Sequence, residues 1–192
     1  NAANAAQAWN FATGSPTITA SVPLSHYLGG FANGTKNDGR DAWKGFEFYN
    51  CGGTISFDFY RMNTWENELF RVYANSTVIL ESSFGSDNAT QARSNSSNGY
   101  EWVITPIDNF NNAGNVNMPG RTQQSFRVTI KVPTGVEALT LGFGSSLDQP
   151  VSDESYGIDN LAVVVVKPLD AITLSGASDR LETVGTYVDS AK

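Results

Sequence analysis

The chain has 192 residues, with 12 Lys and Arg against 19 Asp and Glu, for a formal net charge of −7. Its 40% hydrophobic content is too high for a disordered chain, while only 16% of residues are charged, so its polarity comes mainly from Asn, Ser, Thr and Gly. An acidic chain without grouped Lys and Arg excludes nucleic acid as a partner, and no apolar run approaches the roughly 20 residues of a membrane-spanning helix.

Residues 1–8 are Ala-rich, small and polar, and too short to hold a helix alone. They form an N-terminal tail suited to docking on a neighbouring copy, with Trp9 as its anchor. A single domain follows over residues 9–167. Period-two alternation dominates it. Ile55, Phe57 and Phe59 alternate with Ser56 and Asp58. Phe70 to Ala74 and Val78 to Leu80 flank Asn75-Ser76-Thr77, the pattern of a hairpin. Tyr100 to Thr105 is a further strand, ended by Pro106. Phe126, Val128, Ile130 and Val132 alternate with polar residues, as do Leu139, Leu141 and Phe143. Each of these runs reads as a strand with one buried face. Ile158 to Val166 is apolar on both faces and belongs in the middle of a sheet. The segments Gly85 to Gly99 and Asp108 to Gln124 are rich in Asn, Ser and Gly and read as solvent-facing loops. Pro168 opens a C-terminal tail, residues 168–192, in which Ala171 to Leu174 is a second candidate docking strand. Short strands punctuated by Gly, Asn and Pro predict an all-β, two-sheet antiparallel sandwich of jelly-roll type with extended tails.

Cys51 is the lone cysteine and His26 the lone histidine, so an intrachain disulfide and two-histidine zinc sites are excluded. Cys51 reads as a buried or half-buried thiol, with an intermolecular bond as the sharper alternative. Acceptor patterns for N-glycans occur at Asn33, Asn75, Asn88 and Asn95, no more than this composition gives by chance. The placement of three of them in turns or loops, and a first residue that is not Met, fit a processed, extracellular protein.

Two acidic clusters carry the chemistry: Asn63-Thr64-Trp65-Glu66-Asn67-Glu68, between two strands, and Asp153-Glu154-Ser155-Tyr156-Gly157-Ile158-Asp159-Asn160, leading into the last core strand. Each offers several hard oxygens of the kind Ca²⁺ takes in sets of about six to eight, and a sandwich can bring both loops to one end. Solvated acidic loops are the plainer alternative. Clustered rim acids do not make the opposed pair a glycosidase needs. With one His, one Cys and no G-x-S-x-G, no nucleophilic triad is supported. The chain reads as non-catalytic. Four Trp and the Tyr residues supply stacking surface for sugars or, more commonly, core packing.

Together with Tyr27-Leu28-Gly29-Gly30-Phe31, Ile55 to Tyr60, the run on to Tyr73 and Leu139 to Ser146, these clusters resemble an extracellular β-sandwich family. It is found in protist surface proteins and bacterial calcium-dependent adhesins. The resemblance spans residues 24 to 166, and the Asp153 to Asn160 string is its most specific part. It implies a jelly-roll or lectin-like domain holding structural Ca²⁺. The implied ligands are Glu66, Glu68, Asp153, Glu154 and Asp159, with Asn67 and Asn160 second; the family more often has Asp at the positions of Asn63 and Glu66.

Two functions follow. One is a secreted structural subunit that builds an extracellular fibre or surface coat as its terminal segments dock on neighbouring copies. The other is a calcium-dependent adhesin module that binds a glycan or a surface peptide. The tail segments tip the sequence reading toward the first.

Overall fold

Alternating apolar and polar residues in runs of 5 to 12 fold here as strands, since that period places one side of each run against a core. The computed structural model describes residues 9–12, 18–19, 27–33, 36, 38–85, 90–107 and 123–165. In chain order the strands are β1 (Asn10–Phe11), β2 (Ile18–Thr19), β3 (Tyr27–Phe31), β4 (Ala42–Glu47), β5 (Gly53–Asn63), β6 (Glu68–Ala74), β7 (Thr77–Phe84), β8 (Arg93–Ser97), β9 (Tyr100–Pro106), β10 (Gln123–Val132), β11 (Ala138–Ser145) and β12 (Glu154–Val165). They form a five-stranded sheet, β1-β4-β11-β6-β7, and a seven-stranded sheet, β2-β3-β12-β5-β10-β9-β8. Every pairing is antiparallel.

The pairing is nested. β3 pairs with β12, β4 with β11, β5 with β10 and β6 with β7. Successive nested pairs alternate between the two sheets, the arrangement of a long hairpin rolled up as a jelly roll. The β8–β9 hairpin is inserted between β7 and β10 and extends the larger sheet. The expected jelly-roll sandwich is therefore present, and β12 lies between β3 and β5 as its apolar sequence required.

The core is aromatic. Phe57, Phe59, Phe70, Phe84, Phe126, Phe143 and Tyr156 are fully or almost fully buried between the sheets. Phe59 stacks on Phe70 with ring centroids 4.1 Å apart and an interplanar angle of 22°. Ile55, Val128, Ile130, Leu139 and Leu141 are among the other side chains that fill it.

The expected loop from Gly85 to Gly99 needs correction, because Arg93–Ser97 within it is strand β8. This strand lies at a sheet edge and carries only polar residues, so no hydrophobic alternation marks it. Its signal was the Asn98-Gly99 pair, whose φ angles of 53° and 82° make the tight hairpin to β9. β10 likewise begins at Gln123, inside the second expected loop; residues 108–122 lie outside the described residues, as do 1–8, 166–192, His26 and Asn88.

Side chains from β8 and its turn close the sandwich flank. Arg93 and Asn98 donate to the carbonyls of Ser83 and Val78 on β7. Those carbonyls are thereby withheld from strand pairing, one way proteins protect a sheet edge.

Candidate functional site

The two acidic segments meet at one end of the sandwich. The chain leaves β5 at Asn63, in a left-handed conformation (φ 66°), and crosses to β6 of the opposite sheet after Asn67 (φ 89°). Asn tolerates that region better than most residues. The turn is stitched to the start of β12. The Thr64 amide and hydroxyl both donate to the Asp153 carbonyl, at 3.1 and 3.2 Å, and the hydroxyl reaches Asp153 Oδ1 at 2.6 Å. Asn63 Nδ2 donates to the Ser152 carbonyl at 3.4 Å. The buried Trp65 indole donates to the Ser155 carbonyl at 3.1 Å.

Glu154 lies at the centre of this junction, opposite Asn63 in the β12–β5 register and fully buried. Its Oε1 accepts the backbone amides of Asp148 and Gln149 at 2.6 and 2.7 Å, which fixes the loop after β11. Its Oε2 has no hydrogen-bond partner among the described residues. Burial raises its pKa above the usual glutamate value; the two amides oppose this, and the nearby carboxylates of Glu68 and Asp148 push it further up. The site thus holds a buried carboxyl with one unsatisfied oxygen and two acidic neighbours, a local deficit of positive charge.

The other expected ligands divide. Glu68 is close enough to act on Glu154 and also accepts the Glu66 amide. Glu66, Asn67 and Asp153 are exposed on the same end, with the Asp153 carboxylate already engaged by Thr64. Asp159 and Asn160 lie elsewhere. Asp159 pairs with Asp58, five residues up β12 from Glu154, or about 16 Å at strand rise. There the strand bulges, Asn160 adopts φ 50°, and its Nδ2 donates to Asp58 Oδ2 at 2.7 Å. Among the described residues, no three His, Cys, Asp or Glu side chains gather as a metal-holding group. The acidic groups that act on one another at the junction are Glu154, Glu68 and Asp148.

Sequence reasoning missed Asp148, which the spacing left outside both clusters, and Asp58, which reads as the solvent side of a strand. Asp58 is 5% exposed and receives Arg127 through Nε and Nη2 as well as Asn160.

The glycan acceptors are distinct in setting. Asn33 is exposed, and its Nδ2 donates to the Asp148 carbonyl at 3.2 Å. Asn75 sits exposed in the β6–β7 turn with Oδ1 on the Thr140 amide, 3.0 Å away. Asn95 is exposed on β8, and Asn88 lies outside the described residues. Trp9 packs on its own domain, its ring 5.5 Å from that of Phe143. Cys51 is a half-buried free thiol in the β4–β5 turn.

No protein-family model and no curated protein matches the chain. Among solved structures it is similar to the K3 cleaved adhesin domain of Lys-gingipain from Porphyromonas gingivalis W83, with 14% identity and a TM-score of 0.40, over 74% of this chain and 75% of that one.

Proposed function

We propose that this chain is a non-catalytic, extracellular recognition module of adhesin type, whose sandwich is locked at one end by Ca²⁺. The observation that carries the reading is the unpartnered, buried Oε2 of Glu154 beside Glu68 and Asp148. A buried carboxylate oxygen without a donor is costly, and a hard cation satisfies it directly. Glu154 and Glu68 would hold the ion, with peptide carbonyls and water completing the shell. The ion's chemistry there is charge neutralisation. The chain's own residues do the rest: Glu154 Oε1 pins the 148–149 amides, while Thr64, Asn63 and Trp65 bind the facing turn to β12. Locking both loops stabilises the sandwich that carries the recognition surface.

Glu154, Glu68 and Asp153 are engaged in fixing loops, and Asp58 and Glu101 are ion-paired to Arg127 and Lys131, an arrangement suited to binding rather than hydrolysis. The ligand is a glycan or a surface peptide. The test is retention of the purified chain on immobilised oligosaccharides and peptides, in Ca²⁺ and in chelator. Retention that chelator abolishes is the expected result. Absence of retention on every surface would reject the recognition reading.

A further inference from the structure

We propose that the outward face of β8, β9 and β10 is a saccharide-binding surface centred on Val103. This rests on the recognition reading above and deepens it, by naming the ligand class and the place where it binds.

The register fixes the surface. Val103 lies opposite Ser94 on one side and Thr129 on the other. One step along the strands, Glu101 lies opposite Ser96 and Lys131. Side chains alternate across a strand, and the neighbours of these residues, Trp102 and Ile130, are buried in the core. The six therefore share the outer face, in two rows about 7 Å apart with strands about 4.8 Å apart. They line a shallow cleft. Among the described residues, Val103 is one of four large apolar side chains left exposed, at 42%. Around it stand three hydroxyls, one carboxylate and one ammonium.

That pattern matches a pyranose ring, which has an apolar C–H face and a rim of hydroxyls that both donate and accept. The C–H face covers Val103. Ser94 and Thr129 flank it at strand spacing, and Glu101 and Lys131 supply an acceptor and a donor one row away. Glu101 and Lys131 are 3.3 Å apart and 65% and 68% exposed, so their pairing is weak and yields readily to a ligand hydroxyl. Their charges cancel, which gives no preference for an acidic or basic partner. A peptide fits less well. The cleft has no deep apolar pocket for an anchoring side chain, and on the adjacent edge strand the Ser96 amide is already taken by Asn95 Oδ1 at 2.8 Å.

The test uses the full chain, produced without N-glycosylation, on a panel of immobilised neutral oligosaccharides and control peptides in the presence of Ca²⁺. Saccharides that bind are then titrated into wild type, Val103→Asp, Lys131→Ala and Ser94→Tyr. The last variant places bulk at an exposed edge position and reports on the surface should Val103→Asp perturb the strand. The expected result is saccharide binding, at least tenfold weaker in Val103→Asp and Ser94→Tyr, with melting temperature and Ca²⁺ response unchanged. Saccharide binding that none of the variants alters would overturn this surface while leaving the recognition reading in place. Binding to peptides alone would overturn the saccharide assignment. Binding to nothing on the panel would remove both.

Discussion

The Tyr156 hydroxyl donates to Asp41 Oδ2 at 2.7 Å, and this bond ties the two sheets together through the core. Tyr156 belongs to β12 of the larger sheet, and Asp41 immediately precedes β4 of the smaller one. Asp41 also accepts from Lys36 Nζ at 2.7 Å, and both Asp41 and Tyr156 are buried. Asp41→Ala strands the Tyr156 hydroxyl and removes the ion-pair partner of Lys36, so a loss of about 2–3 kcal/mol is expected. Tyr156→Phe leaves the Lys36 pair intact and should cost about 1 kcal/mol. Equal losses in chemical denaturation would refute this division.

The same carboxyl has a pH signature. Burial raises the Asp41 pKa above 3.8, although Lys36 and the Tyr156 hydroxyl both pull it down. The folded state thus holds the proton more tightly than the unfolded chain. This contribution to stability is full below the unfolded value and is lost as pH rises through the folded one. Asp41→Asn removes it. Relative to that variant, the wild type should lose stability as pH rises from about 4 through the mildly acidic range. A difference of opposite slope would show that the ion pair with Lys36 outweighs burial.

Gly29 and Gly157 face each other in the β3–β12 register. A methyl group on Gly157 would run into the ring of the buried Tyr27 and lie 3.1 Å from the Met62 methyl. A methyl on Gly29 would meet the Gly157 Cα at 2.5 Å and the Tyr156 carbonyl at 2.7 Å, both backbone atoms. Side chains can shift, and paired backbones cannot without breaking the ladder. Gly157→Ala is therefore expected to cost about 1–3 kcal/mol, and Gly29→Ala more. Thermal denaturation of the two variants decides the order.

Asp58 accepts from Arg127 and Asn160, and its side chain is 6% exposed against 49% for Arg127. Removing the buried member should cost more than removing the exposed one. Asp58→Ala is expected to lose about 2 kcal/mol and Arg127→Ala about 1 kcal/mol or less. The reverse order in urea unfolding would mean that Arg127 contributes chiefly through packing of its stem.

The strands whose alternation was clean, Ile55 to Phe59, Phe126 to Val132 and Leu139 to Phe143, occupy the inner faces the sequence assigns them. β8 was hidden because an edge strand exposed on both faces needs no apolar residue. The junction of the two acidic segments was legible, since both flank strands of one sandwich end. The partition of their acids was not. Glu154 and Asp159 share one strand, and only the register shows that five residues separate the end of the sandwich from the bulge at Asn160. The orphaned oxygen of Glu154 is likewise a property of burial, which no local pattern encodes.

The proposed cation at Glu154 is tested most directly by terbium luminescence excited through tryptophan, since the Trp65 indole is bonded to the Ser155 carbonyl beside the junction. Saturable emission, displaced by Ca²⁺ and lost in Glu154→Gln, is expected, with a melting temperature that Ca²⁺ raises in the wild type alone. No emission, together with a wild-type melting temperature indifferent to Ca²⁺ and to chelator, would contradict the calcium lock.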